Sequence, residues 1–151
     1  MASLPTKFLG IEGAPEYVSV FSLYSKDDYF LDRITYHGDP EEMRVIKSSG
    51  ATQVIFHEKE SERFGVESIP ARRLVVGGDV GQPYQGSGVG FPPGFLQNEK
   101  LTLDQGLEFS LQLYSGDFPV GWEDIFGLGD ALAYLFVDKN KFEGLFFVQV
   151  T

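Results

Sequence analysis

Three apolar runs in the last third of the chain constrain its fold more than any other feature. Residues Leu107–Tyr114 alternate apolar and polar side chains, which is the period-two pattern of a strand with one face in a core. The runs 132–137 and 145–150 are mostly apolar and are also short enough to be strands. Loops containing glycine and aspartate separate them. The sequence therefore predicts three consecutive strands and a β-sheet core.

The first half of the chain adds further strands and the clearest helix. Residues 17–24 and 52–56 are β-branched or aromatic runs that predict strands. The pattern of 39–50 predicts a helix with Asp39 as N-cap and Gly50 as the residue that ends it. Residues 29–36 fit either a strand or a helical turn. Shorter extended pieces are predicted at 66–69 and 72–76.

A chain of 151 residues is most simply one domain, here residues 1–151, and is long enough to bury a core without disulfides. Its 14 Phe, 7 Tyr and one Trp predict that this core is aromatic. The predicted fold class is mainly β, either a β-sandwich or a strongly curved antiparallel sheet, with one or two short helices, which makes it α+β by count.

The negative charge of the chain restricts the choice of partner. The net charge is −10, and residues 77–151 contribute −7 of it, from ten acidic and three basic side chains. Nucleic acid is not expected as a partner, because that affinity comes mainly from Lys and Arg neutralising phosphates. The charge serves either solubility or the recognition of a protein with a basic surface.

The chain has no Cys, which excludes disulfides, thiolate nucleophiles and cysteine-ligated metals. The N-terminal residues do not form a secretory signal, and no apolar run approaches the ~18 residues of a membrane-spanning helix. We therefore predict a soluble cytoplasmic protein with no membrane partner.

Residues 77–94 contain seven glycines and three prolines and predict a long loop. A phosphate-binding loop would need a following helix and a Lys next to Ser or Thr, and this glycine-rich segment ends in Phe91-Pro92-Pro93-Gly94 with neither after it, so we predict no nucleotide cofactor. Two alternatives remain. The glycines serve tight turns, or the loop is a lid that presents the rings of Tyr84, Phe91 and Phe95 to a ligand.

A second loop surrounds Trp122 with carboxylates, at Asp117, Glu123, Asp124 and Asp130. Asp117 and Asp130, each of which follows a glycine, serve as turn-formers that bind nearby backbone amides, or two of the four acids form a pair that cleaves a glycosidic bond. The loop lacks the spacing of a calcium site. The indole serves either as a hydrophobic plug at a sheet end or as a platform for a sugar ring.

The two histidines carry no recognisable metal or catalytic pattern. His57 is followed by Glu58, but Ser61 stands where a zinc motif needs its second histidine. His37 precedes a turn, and neither histidine lies in the sequence context of a catalytic triad. We therefore predict no metal site, no cofactor and no catalytic residue.

The chain from Gly106 onward resembles the YwqG-like proteins, a bacterial family of unknown function. The features that carry the resemblance are Leu111-Gln112-Leu113, Gly116-Asp117, Trp122, Gly129-Asp130 before Ala133-Tyr134-Leu135-Phe136, and Gly144-Leu145-Phe146-Phe147 with Gln149. Gly81-Gln82-Pro83 and Tyr84-Gln85 are similar to a segment that those proteins carry upstream, so that the resemblance covers about half of the chain, residues 77–151. It implies a β-rich fold, a bacterial cytoplasmic setting and, for some relatives, a gene beside contact-dependent toxin genes. It implies no catalytic residue.

These observations favour a non-enzymatic protein-binding module, of which a toxin-neutralising immunity protein is one form. The alternative is a small-molecule or carbohydrate-binding β-domain, and a hydrolase built on the loop carboxylates ranks third. An exposed edge of the final strand would also allow a homodimer. The candidate contact residues for a partner or ligand are Tyr84, Phe91, Phe95, Asp117, Trp122, Glu123, Asp124 and Asp130.

Overall fold

The computed structural model of the chain describes residues 1–59, 73–75, 77–79, 85–97 and 101–151. Within these residues, six strands form two three-stranded antiparallel sheets, accompanied by one α-helix and three short 3-10 helices. The predicted mainly β fold is confirmed. No helix in this part of the chain is long and apolar enough to cross a membrane.

The N-terminal sheet has the order β1-β2-β3, from Ala2–Pro5, Tyr17–Ser22 and Thr52–His57. The sequence predicts β2 and β3 but not β1, which is only four residues long and contains Pro5 at its end. A strand of four residues is too short to show a clear alternation of apolar and polar side chains. Its place at the edge of the sheet suits the proline, because an edge strand need not donate every backbone bond.

The C-terminal sheet has the order β4-β5-β6 and contains the three strands predicted from the apolar runs, at Leu107–Tyr114, Leu132–Asp138 and Glu143–Gln149. All seven residues of β5 are buried. One face of the sheet packs against residues of the N-terminal sheet such as Leu4 and Val20. The other face packs against helix α1, Pro40–Ser49.

Helix α1 has the predicted signals at both of its ends. The Asp39 carboxylate accepts a hydrogen bond from the Glu41 amide at 2.8 Å, and Gly50 ends the helix in the left-handed conformation. Met43 and Ile46 are its buried side chains and pack against the C-terminal sheet. The capping residues and the buried apolar side chains therefore both favour a helix over the same residues.

Residues 29–36 form a helical turn and not a strand. A 3-10 helix spans Leu31–Arg33, and Thr35 then makes a parallel bridge with Val148 of β6. Because the Tyr36 amide and the Ile34 carbonyl pair with Val148, this part of the final strand is covered. The expectation of an exposed edge on the final strand is therefore wrong at this position.

A β-bulge in β4 overturns the prediction that its alternating leucines and Phe109 share one face. The register shifts between Phe109 and Leu111, leaving Ser110 without an opposite residue on β5. Phe109 consequently packs on the helix side of the sheet, whereas Leu111 and Leu113 pack on the side of the N-terminal sheet. The bulge also places Gln112 opposite Tyr134.

Buried polar side chains hold residues 85–97 against the helix side of the C-terminal sheet. Gln112 is fully buried; its amide group donates to the Gly86 carbonyl at 2.8 Å, and its oxygen accepts from the Gly94 amide at 2.9 Å. The Tyr134 hydroxyl donates to the Gly94 carbonyl at 3.0 Å. Gln149, also fully buried, accepts from the Leu96 amide at 3.2 Å. These bonds satisfy backbone groups that an irregular segment leaves without partners.

The predicted extended pieces at 66–69 and 72–76 lie outside the described residues, apart from 73–75, which form no strand or helix. Residues 85–97 of the predicted glycine-rich loop are described. They contain no strand or helix, and their one bridge joins Gly88 to Gln112. In this part, the predicted loop is confirmed.

Replacing Gln112 by Leu should strongly destabilise the fold. The Gly86 carbonyl and the Gly94 amide would lose the hydrogen-bond partner that the buried Gln112 side chain provides. We expect this loss to lower the free energy of unfolding by about 2–4 kcal/mol. Gln105→Leu is the matched control, since Gln105 is exposed in a turn and should change stability by less than about 0.5 kcal/mol. Urea denaturation measures both values, and equal values would contradict the structural role of Gln112.

Candidate functional site

The loop between β4 and β5, residues 115–131, carries most of the predicted contact residues, and we call it the acidic loop. Buried apolar side chains anchor it: Phe126 is fully buried, contacts Phe118 edge-to-face at 5.4 Å between ring centroids, and lies 6.3 Å from the ring of Phe146. Ser115 closes the base of the loop, because its hydroxyl accepts from the Ala131 amide at 3.1 Å. The loop is thus held by core contacts at several points.

The four carboxylates of the acidic loop are all exposed. Each accepts a hydrogen bond, but only Glu123 bonds to a nearby backbone amide, that of Gly121 at 2.8 Å. Asp117 accepts from the Ser87 amide at 3.0 Å and so links the acidic loop to the glycine-rich segment. The prediction that Asp117 and Asp130 are turn-formers whose carboxylates bind nearby backbone amides is therefore wrong: Asp117 binds a distant amide, and Asp130 accepts from the Tyr114 hydroxyl.

Asp130 and Asp124 accept from tyrosine hydroxyls. The hydrogen bond from Tyr114 to Asp130 raises the pKa of Tyr114 above its ordinary value, because the carboxylate stabilises the protonated phenol. Tyr24 donates to Asp124 at 3.3 Å. Among the described residues, no Lys, Arg or His forms an ion pair with a carboxylate of the acidic loop.

Trp122 of the acidic loop is half-buried and forms one end of an aromatic group with Tyr24 and Phe30. Its ring centroid is 5.6 Å from that of Tyr24, which in turn contacts Phe30 edge-to-face at 6.0 Å. The ammonium nitrogen of Lys26 lies 5.1 Å from the centre of the indole, within the range of a cation–π interaction. One side of the indole therefore contacts the core cluster while a cation lies over its ring.

A depression of about 300 Å³ opens beside this aromatic group. Its charged lining consists of one ammonium, from Lys26, and three carboxylates, from Asp27, Asp28 and Asp124. The rest of the lining is Tyr24, Ser25, Tyr29, Phe30, Leu31 and Gly127. A second depression, of about 460 Å³, lies around Thr6, Gly10 and Glu16 and has no aromatic lining. The first depression thus combines rings with an excess of negative charge.

The structure corrects the expectation of an aromatic lid. Phe91 is only 9% exposed and contacts Phe109 at 6.0 Å between ring centroids, and Phe95 contacts Tyr134 at 5.1 Å. Both rings cover the helix side of the C-terminal sheet and are part of its core. Tyr84, the third ring of the predicted lid, lies outside the described residues.

Sequence reasoning missed the residues that complete the depression. Tyr24 ends the strand predicted at 17–24, and the sequence Ser25-Lys26-Asp27-Asp28 that follows it is typical of a turn. The turn is present, since the Ser25 hydroxyl accepts from the Asp28 amide at 2.9 Å. Nothing local in the sequence connects this turn to Trp122, because the contact depends on the packing of the acidic loop.

A line of hydrogen bonds on the outer side of the N-terminal sheet was also missed. The Ser19 hydroxyl lies 2.8 Å from Nε2 of His57 and 2.9 Å from the Ser3 hydroxyl, and Nδ1 of His57 lies 2.8 Å from the Lys59 carbonyl oxygen. The pair resembles a nucleophile with its base. However, Ser19 lies within the central strand of the sheet, between β1 and β3, so this strand offers no free amides for an oxyanion hole.

The described residues contain no group of three or more His, Asp or Glu side chains arranged to hold a metal ion. Comparison of the chain with protein-family models, with curated proteins and with solved structures finds no match. The arguments on function therefore rest on the geometry of the acidic loop and its neighbours.

Phe91→Ala separates a core role from a ligand-facing role. Truncating this buried ring should lower the free energy of unfolding by about 3 kcal/mol, because it leaves a cavity against Phe109. Val120, which is 94% exposed, provides the control, and Val120→Ala should cost less than about 0.5 kcal/mol. Chemical denaturation measures both values. A loss below about 1 kcal/mol for Phe91→Ala would restore the lid interpretation.

Proposed function

We propose that this chain is a non-enzymatic protein-binding module that recognises a basic partner protein through the acidic loop. A toxin-neutralising immunity protein is the specific form that we favour. Within this proposal the protein acts in the bacterial cytoplasm, and membership of the YwqG-like family stays a prediction from the sequence resemblance. Self-association into a homodimer also stays a prediction.

One observation carries the proposal: the acidic loop presents four exposed carboxylates and lacks any basic residue of its own. In the described residues none of the four forms an ion pair. Carboxylates that are not neutralised within the protein produce a local negative potential, which accelerates association with a positively charged surface.

Apolar exposure on the same loop supports a protein as the partner. Val120 is 94% exposed and Leu128 is 44% exposed, and both lie between carboxylates in the sequence. Protein interfaces combine a desolvated apolar centre with a polar and charged rim. The buried anchors Phe126 and Ile125 hold this surface in place, which lowers the entropy that binding would cost.

Charge reversal tests the proposal. In the variant Asp117→Lys, Glu123→Lys, Asp124→Lys, the complex with a basic partner should weaken at least tenfold, because attraction becomes repulsion. The triple variant Glu12→Lys, Glu16→Lys, Glu143→Lys changes the net charge equally at exposed sites outside the acidic loop and should bind much more tightly than the first variant.

The partners to be tried first are basic proteins encoded beside the gene of this chain, with isothermal titration calorimetry at low and high salt as the measurement. Affinity should fall as salt screens the charges. Equal weakening by the two triple variants, or binding that salt leaves unchanged, would refute a role for the acidic loop.

A small-molecule or carbohydrate-binding β-domain is the second candidate. The depression beside Tyr24, with Trp122 close by, favours it, because an indole face is a suitable platform for a sugar ring. The core positions of Phe91 and Phe95 argue against the wider aromatic site that the sequence predicts.

Ligand binding to this site should raise the melting temperature by mass action. A thermal-shift screen of sugars and nucleotides on the wild-type chain should then give a shift that Trp122→Leu loses. If no ligand class gives a shift, or if Trp122→Leu keeps it, the second candidate is ruled out at this site.

A further inference from the structure

The ammonium of Lys26 lies over the Trp122 ring, and the aromatic and acidic side chains around it favour a cation at this position. An indole face has a negative quadrupole, and a cation within about 6 Å of its centre is attracted to it. The observed distance is 5.1 Å. The Tyr24 ring lies beside the indole, at 5.6 Å between ring centroids, and the Tyr24 hydroxyl donates to the Asp124 carboxylate at 3.3 Å.

The charges around Lys26 exceed what this single cation neutralises. Lys26, Asp27, Asp28 and Asp124 line the same depression, so its three acidic side chains and one basic side chain sum to a charge of −2. Lys26 takes part in none of the ion pairs of the described residues. The depression beside Trp122 therefore combines the rings of Tyr24, Tyr29 and Phe30 with acidic side chains and open space for a further cation.

We propose that Trp122, Tyr24 and Asp124 form an acceptor site for an arginine or lysine side chain of a protein partner, and that Lys26 fills this site in the unbound protein. This inference rests on the proposed function and specifies where a basic side chain would enter. Lys26 acts as an internal competitor that the incoming side chain displaces.

Arginine suits this site better than a neutral ligand. A planar guanidinium stacks on an aromatic face and also forms paired hydrogen bonds with a carboxylate, here Asp124. A sugar would use the indole face but would leave the excess negative charge of the depression uncompensated. The chemistry of the lining therefore favours an organic cation.

Displacement of Lys26 needs only a side-chain movement. Lys26 is exposed and lies in a turn whose backbone is held by the Ser25 hydroxyl, which accepts from the amides of Asp27 at 3.2 Å and Asp28 at 2.9 Å. The turn can thus keep its conformation while the ammonium moves to solvent. The contact that is lost is a single exposed cation–π interaction, which is weak.

Removal of the internal competitor tests the inference. The probe is a short arginine-glycine peptide, with the same peptide carrying uncharged citrulline in place of arginine as the ligand control. Because Trp122 is the only tryptophan of the chain, its fluorescence reports directly on the site. Lys26→Gln should bind the arginine peptide about two- to fivefold more tightly than the wild type.

Lys7→Gln is the matched variant, since Lys7 is exposed, changes the net charge equally and lines the other depression. Its affinity for the arginine peptide should change less than twofold. Asp124→Asn should weaken binding in both the wild-type and the Lys26→Gln background. Circular dichroism checks that each variant is folded.

Equal effects of Lys26→Gln and Lys7→Gln, or equal binding of the citrulline peptide, would overturn the acceptor site. If free arginine amide binds as tightly as the arginine peptide, the site binds a small cation, and the proposal that a protein partner supplies the side chain is wrong. The proposed function fails separately: it fails when reversal of the acidic loop leaves partner binding unchanged. If that reversal abolishes binding while the two lysine variants behave alike, only the acceptor site is refuted.

Discussion

The burial of β5 on both of its faces is the constraint on which the rest of the structure depends. All seven residues of this strand are buried, so the sheet needs cover on each side. The N-terminal sheet and adjacent loops cover one face, whereas helix α1 covers part of the other. Irregular residues, including Phe95 and Phe91, complete that second layer. Their backbone polar groups then need buried partners.

Gln112, Gln149 and Tyr134 provide these hydrogen-bond partners. Gln112 and Gln149 lie on outer strands of the C-terminal sheet, and Tyr134 lies on the central strand between them. Together they bond to backbone groups of residues 85–97. A hydrogen-bonded polar side chain in a core is tolerated, whereas an unpaired one is costly. The role of these three side chains is therefore structural, because their hydrogen bonds hold residues 85–97 against the sheet.

The acidic loop shows how the same core leaves a surface available for binding. Its phenylalanines and Ile125 are drawn inward by the apolar side of the sheet, and its carboxylates remain in water because burying an unpaired charge is expensive. Tyr24 and Lys26 meet this loop from a distant part of the chain. The combination of anchored backbone, exposed acids and aromatic faces is what supports a role in recognition.

By itself, the sequence determined the strands β2 to β6, helix α1 and the acidic loop, because periodicity, caps and glycine-rich turns are local signals. Only the tertiary structure decided that the bulge at Ser110 turns Phe109 and Leu111 to opposite faces, and that Phe91 and Phe95 enter the core. It also decided that Lys26 lies over Trp122. Such contacts join segments far apart in the chain, and their geometry is set by how the layers pack, which no local pattern of residues records.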